Sequence, residues 1–202
     1  MSMGYMQPPG YFEPKQPPPP RGAPRSPDAP PPVVIREVPD GFPGTQVIVG
    51  DMVAKVLSAY QDERVNILAR EVTMGCPRHD YRCEAETILR WFQERFRYTR
   101  LPWHPKGFQR VQTASYTLFD SPVKTGECAS LSVAMAAMLM SMGFEVQFET
   151  AGQDPADPLD FEHVYLSVNV PEVGWLAADP SYEGPLGWKH PNARVTMLWP
   201  IA

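Results

Sequence analysis

Three residues in this sequence have the types and spacing that cysteine-nucleophile chemistry requires. Cys128 stands in Thr125-Gly126-Glu127-Cys128, immediately ahead of an apolar run that continues to Met142. A helix over that run puts the cysteine in its first turn. Backbone N–H groups lack partners there and the helix dipole favours an anion, so a thiolate is stabilised. Such a nucleophile needs a base, and the base needs a carboxylate to orient it. His163 and Asp179 are the candidates for those two roles. Each signal alone has a plainer explanation. A cysteine at a helix start is commonly a small buried apolar group, a strand histidine a satisfied core residue, and Asp-Pro a turn. Their order along the chain is what distinguishes them.

The elements that must position these residues can be read from periodicity. Glu127 to Met142 predicts a helix, apolar on most faces and therefore buried, that ends at Gly143. Beyond it the period changes to two. Phe144, Val146 and Phe148 alternate with Glu145, Gln147 and Glu149, which predicts a strand with one wet face. A loop over 152–160 separates it from a second strand, Phe161 to Val170. Gly174 to Ala178 reads as a third strand and Arg194 to Trp199 as a candidate fourth. If the second and third strands are antiparallel neighbours, His163 and Asp179 meet at one end of the sheet. The helix N-terminus then has only to abut that end. Alternation puts His163 on the face of Phe161 and Tyr165. Upstream, helices are expected over Asp51 to Tyr60, Asp62 to Thr73 and Glu84 to Phe96, the last with Ile88, Leu89, Phe92 and Phe96 on one stripe. Arg100 to Asp120 reads as loop. Helices followed by consecutive antiparallel strands predict an α+β domain.

Taken together, the motifs resemble the transglutaminase-like cysteine peptidase superfamily, with its papain-like fold. They are Gly126-Glu127-Cys128 through Leu139 and Gly143-Phe144, then Glu162-His163-Val164-Tyr165, then Gly174-Trp175-Leu176 and Asp179-Pro180. Ala85 to Tyr98 is similar to the helix ahead of the family's core, and the resemblance spans Asp62 to Trp188. It implies a buried helix bearing Cys128, packed on an antiparallel sheet. It also implies Cys128 as nucleophile, His163 as general base and then acid, and Asp179 as the orienting group. The substrate it implies is a peptide or isopeptide amide, with no cofactor. Val111-Gln112-Thr113 and Leu186-Gly187-Trp188 are similar to members encoded by tailed bacteriophages and prophages. That implies an alternative, a structural or assembly protein of a virion that retains the fold. The chain departs from many relatives by carrying Ala129 and Ser130 where an acidic residue follows the nucleophile. For the oxyanion, the Cys128 N–H is a natural donor. Gln112 or Tyr116 is the candidate second donor, although packing and loop hydrogen bonds are the plainer role of each.

Composition bounds the rest. A chain of 202 residues, 43% hydrophobic, holds one well-cored domain with a tail to spare. A formal charge of -5 gives no basic field for nucleic acid, so none is expected as a partner. The longest apolar stretch, Leu131 to Met142, falls short of the roughly 20 residues that membrane insertion needs. Twelve of the 25 prolines lie within residues 1–32. The expected organisation is therefore a proline-rich extended arm over 1–45 and the hydrolase domain over 46–202. Tyr5, Tyr11 and Phe12 suit the arm to docking on virion or other protein partners, and a solubilising leader is the competing role. Without a basic-then-apolar start, synthesis in the cytoplasm is expected, with a virion as an alternative destination. Cys76, His79 and Cys83 lack a second ligand cluster, so free thiols or a local disulfide are expected there and no metal. Met135, Met138, Met140 and Met142 read as core filler. Trp103, His104 and Lys106 either rim the cleft or anchor a loop.

Overall fold

The computed structural model describes residues 33–99, 108–157 and 159–201. In chain order these form β1 (Val33–Glu37), α1 (Phe42–Leu57), α2 (Glu63–Thr73), α3 (Tyr81–Arg95), β2 (Arg97–Tyr98) and β3 (Phe108–Gln112). A π-helical turn over Tyr116–Asp120 follows, then β4 (Thr125–Gly126), α4 (Cys128–Ser141), β5 (Glu145–Gly152), β6 (His163–Val170), β7 (Gly174–Ala178) and β8 (Val195–Pro200). The fold is α+β and papain-like.

Helix α4 is the axis of the molecule. Every side chain from Ala129 to Leu139 is buried, because the helix is covered on all sides. Helices α1, α2 and α3 pack against one flank, and strands β5 and β6 against the other. Each fully buried Leu or Met on it contributes roughly 1.5–3 kcal/mol. The covering helices are amphipathic, as their sequences predict. Val65, Ala69 and Thr73 of α2 are buried, as are Ala85, Ile88, Leu89 and Phe92 of α3. Asp62 caps α2 by accepting from the Arg64 N–H at 2.9 Å, and Asp80 caps α3 by accepting from the Cys83 N–H at 2.9 Å.

The main sheet has strand order β7-β6-β5-β8, and all neighbours are antiparallel. Val146 and Phe148 of β5, with Val164, Leu166, Val168 and Val170 of β6, face α4 in one continuous core. The expected wet face of β5 holds at Glu145 and fails at Glu149, which is 1% exposed. The chain after β7 crosses that face, and the Lys189 ammonium donates to Glu149 Oε1 at 2.6 Å. Beside it Tyr165 is buried, and burial, with Glu149 adjacent, raises its phenol above the ordinary value.

Three further differences from the sequence reading concern the chain ahead of α4. Helix α1 starts at Phe42, nine positions ahead of Asp51, and ends at Leu57. Pro43 in its first turn has the fixed φ that a helix start uses, and its missing N–H costs nothing there. Residues 33–45, grouped above with the arm, contribute β1 and the first turn of α1. The stretch read as loop holds β3, which pairs antiparallel with β1 from Glu37↔Phe108 to Val33↔Gln112. That partner lies some 70 residues upstream, so no local pattern announces it. Cys76 and Cys83 are joined as a disulfide, which removes both thiols from any metal site. Among the described residues no group of three or more His, Cys, Asp or Glu is placed to hold a metal ion, and no helix is long and apolar enough to cross a membrane. Residues 1–32, Trp103, His104 and Lys106 lie outside the described residues.

Candidate active site

Strands β6 and β7 pair with Leu166 opposite Ala178. His163 therefore opens β6, and Asp179 follows the last residue of β7, at the same end of the sheet. His163 Nε2 and Asp179 Oδ2 are 2.7 Å apart, within side chains 13% and 5% exposed. The other carboxylate oxygen, Oδ1, accepts from the Ser181 N–H at 2.8 Å, which fixes the plane of the group.

Helix α4 brings the third residue to this corner. Two short backbone pairings set its start: β2 runs parallel to β4, and the Thr99 N–H donates to the Gly126 carbonyl at 3.1 Å. One turn into the helix, the Ser132 hydroxyl donates to the Val164 carbonyl at 3.3 Å, next to His163. Cys128 lies beside the His163 ring, close enough to act on its charge. With Nε2 engaged by Asp179, Nδ1 is the nitrogen that remains for the sulfur. Burial by itself lowers the imidazole pKa. The hydrogen bond to Asp179, the nearness of Cys128 and the Asp179 charge outweigh it and raise the value to about 10. The ring is thus an imidazolium at neutral pH, held between the Asp179 carboxylate and Cys128. Tyr165 stacks beside it with centroids 5.8 Å apart, and Tyr182 meets it edge-on at 5.2 Å.

The two oxyanion candidates differ in placement. Gln112 ends β3 and is buried, with its backbone N–H donating to Ser130 Oγ at 3.0 Å. Its Oε1 accepts from the buried Thr117 hydroxyl at 3.0 Å, which fixes which way the amide faces. Gln112 shares a small depression with Gly126, Glu127 and Ser130 around the start of α4. Tyr116 lies in the π-helical turn, its N–H donating to Thr113 Oγ1 at 3.3 Å, and its phenol makes no hydrogen bond among the described residues. Sequence reasoning missed Gln93, whose side-chain amide reaches across from α3 to the turn after Asp179. It also missed the ring cluster around Tyr182. Gln93 lies off the apolar stripe of α3 and reads there as an ordinary solvated position.

The sequence of residues 67–180 matches the transglutaminase-like superfamily, a span that is more than half of the chain and contains Cys128, His163 and Asp179. The chain belongs to this superfamily. Two solved structures are similar to this transglutaminase-like chain. A candidate cysteine protease from Cytophaga hutchinsonii is 16% identical over 83% of this chain and 58% of its own, with a TM-score of 0.46. A candidate protease from Parabacteroides distasonis is 14% identical over 66% of this chain and 26% of its own, with a TM-score of 0.45. The transglutaminase-like chain therefore spans less than two thirds of the length of either. No curated protein matches it.

Proposed function

We propose that this transglutaminase-like chain is a cysteine hydrolase of peptide or isopeptide amides, with Cys128 as nucleophile, His163 as proton carrier and Asp179 as its orienting group. The observation that supports this reading is the His163 ring, bonded to Asp179 at 2.7 Å and lying beside Cys128 at a helix N-terminus. The Cys128 sulfur attacks the amide carbon and the carbonyl oxygen takes up negative charge. The Cys128 N–H and the Gln112 side-chain amide are the donors assigned to that oxygen. His163 then gives its proton to the departing nitrogen as the C–N bond breaks, leaving a thioester on Cys128. Water attacks next, giving its proton to His163, and the C–S bond breaks to release the acid. An amine in place of water gives transfer. Hydrolysis is the reading adopted, since water needs no second binding site.

Alkylation tests the nucleophile. With iodoacetamide near neutral pH, peptide mapping should find the label on Cys128, while Cys76 and Cys83 stay joined. Cleavage of a fluorogenic peptide pool should fall by roughly four orders of magnitude in Cys128→Ala. An inert Cys128 beside a readily labelled Cys76 or Cys83 would sink the assignment.

A second reading is a phage-encoded virion protein that keeps the fold and docks through its proline-rich arm. The proline content of residues 1–32 supports it, as do the phage-like motifs at 111–113 and 186–188. So does the Cys76–Cys83 disulfide, because cytosolic thiols are kept reduced and a released particle is not so protected. On this reading the chain is made in the cytoplasm and ends in the virion, and its enzyme activity and its structural role coexist. Mass spectrometry of particles released from the producing cell decides it by the presence or absence of the chain.

A further inference from the structure

The turn that follows Asp179 carries more than a carboxylate. The two N–H groups on Nε2 of Gln93 in α3 are shared among three of the turn's carbonyls, Asp179 at 3.1 Å, Tyr182 at 2.7 Å and Gly184 at 3.0 Å. Gly184 lies against Trp188 so closely that a Cβ there would come within 2.8 Å of the indole. The backbone is pinned from one side and a tryptophan is seated on it from the other. Tyr182 projects from this frame. Its ring centroid lies 5.2 Å from that of His163, 4.9 Å from His190, 6.4 Å from Trp188 and 6.3 Å from Tyr98. None of Tyr98, Tyr182, Trp188 and His190 belongs to the buried core, and Tyr182 and Tyr98 are 39% and 37% exposed. Among the described residues the cation–ring contacts fall on Phe119, Trp91 and Phe96 and not on Tyr182 or Trp188. A rigid, exposed aromatic surface beside a reactive centre is suited to holding an apolar side chain.

The chemistry says which part of the substrate lies there. His163 hands its proton to the departing nitrogen, so the amine-side portion of the substrate must pass over the imidazole. The carbonyl oxygen lies instead toward the start of α4 and Gln112. The ring that faces the imidazole edge-on is Tyr182. We infer that Tyr182, with Tyr98, Trp188 and His190, forms a subsite for an aromatic or large apolar side chain on the amine side of the scissile bond. This rests on the hydrolase reading above.

Acyl transfer from a common thioester isolates this subsite. An activated ester, p-nitrophenyl acetate, acylates Cys128 with a burst of p-nitrophenolate. Added amino-acid amides then compete with water: the amine nitrogen bonds the acyl carbon, the C–S bond breaks, and the thiol is restored. The wild type should use phenylalaninamide about tenfold better than alaninamide, and Tyr182→Ala should cut that preference to about twofold or less. Tyr182→Phe keeps the ring and should keep the preference. If Tyr182→Ala gives no burst, Trp188→Ala and Tyr98→Ala read the same ratio. Equal use of the two amides by the wild type, a preference for lysinamide, or an undiminished ratio in the variants would overturn the subsite. A wild type with no burst beyond that of Cys128→Ala would instead overturn the nucleophile, and the subsite with it.

Discussion

The two ends of α4 are finished in opposite ways. At its C-terminal end the carbonyls are answered within the protein. The Gly143 N–H donates to Met140 and the Phe144 N–H to Leu139, a Schellman closure that Gly143 permits with φ 94°. The Asn66 side-chain amide donates to the Ser141 carbonyl at 2.6 Å, and Tyr81 packs edge-on against Phe144. The N-terminal end is surrounded by polar groups instead: the His163–Asp179 pair, Ser130 and Gln112. Its first N–H groups have no helical acceptor and point toward whatever binds there. One end of the helix is sealed by packing and the other is prepared for an anion, which is why the chemistry is assigned to the second.

Asp179→Asn strikes the prepared end hardest, since it keeps the shape and removes the charge. Peptide hydrolysis should drop by about 10³-fold. It also has a pH signature. The charged His163 ring stabilises the fold fully below its ordinary value of 6.5, and that contribution is lost as pH rises through about 10. In Asp179→Asn the loss should shift to lower pH, as read by urea denaturation from pH 6 to 11. A profile identical to that of the wild type would separate the pair from the stability of the site.

Gln112→Glu is the next in size. It preserves the acceptor for Thr117 and replaces the amide donor with a carboxylate oxygen. A loss of about 10²-fold in kcat with KM little changed is expected. An unchanged kcat would return Gln112 to a packing role and leave the oxyanion to backbone donors.

The sealed end should respond in the opposite sense. Replacing Cys76 and Cys83 together by Ser should leave hydrolysis within about twofold while lowering stability by about 2–3 kcal/mol, the value for a short loop. Urea midpoints and turnover measured on the same samples check both. A large loss of activity would show that the two ends are coupled.

What could be read from the sequence was whatever rests on local pattern. The buried character of α4, its stop at Gly143, the two-residue period of β5 and β6, and the bounds of β7 all follow from spacing that neighbouring residues display. His163 and Asp179 were close to legible for the same reason, because antiparallel pairing of adjacent strands leaves little freedom in where they meet. Partners far apart in the chain were not. Val111 pairs with Val34 and Gln93 reaches Tyr182, and neither residue differs locally from a loop valine or a solvated helical glutamine. Glu149 misled for a related reason. Alternation places it on an outer face, but only the later course of the chain decides whether that face is wet.

The disulfide has a consequence in redox terms. It closes the α2–α3 connection beside Tyr81, which touches Phe144 just past the end of α4, while Cys128 opens that helix. A helix of 14 residues sets the two sulfur sites about 20 Å apart. Cys128, the one free cysteine, therefore has no resolving thiol in its own molecule. Once oxidised to a sulfenic acid it can be recovered only by a thiol from outside, and further oxidation is irreversible. The reductant that protects the Cys128 thiol is also the one that opens the staple, so the two sulfur chemistries of this chain favour different surroundings.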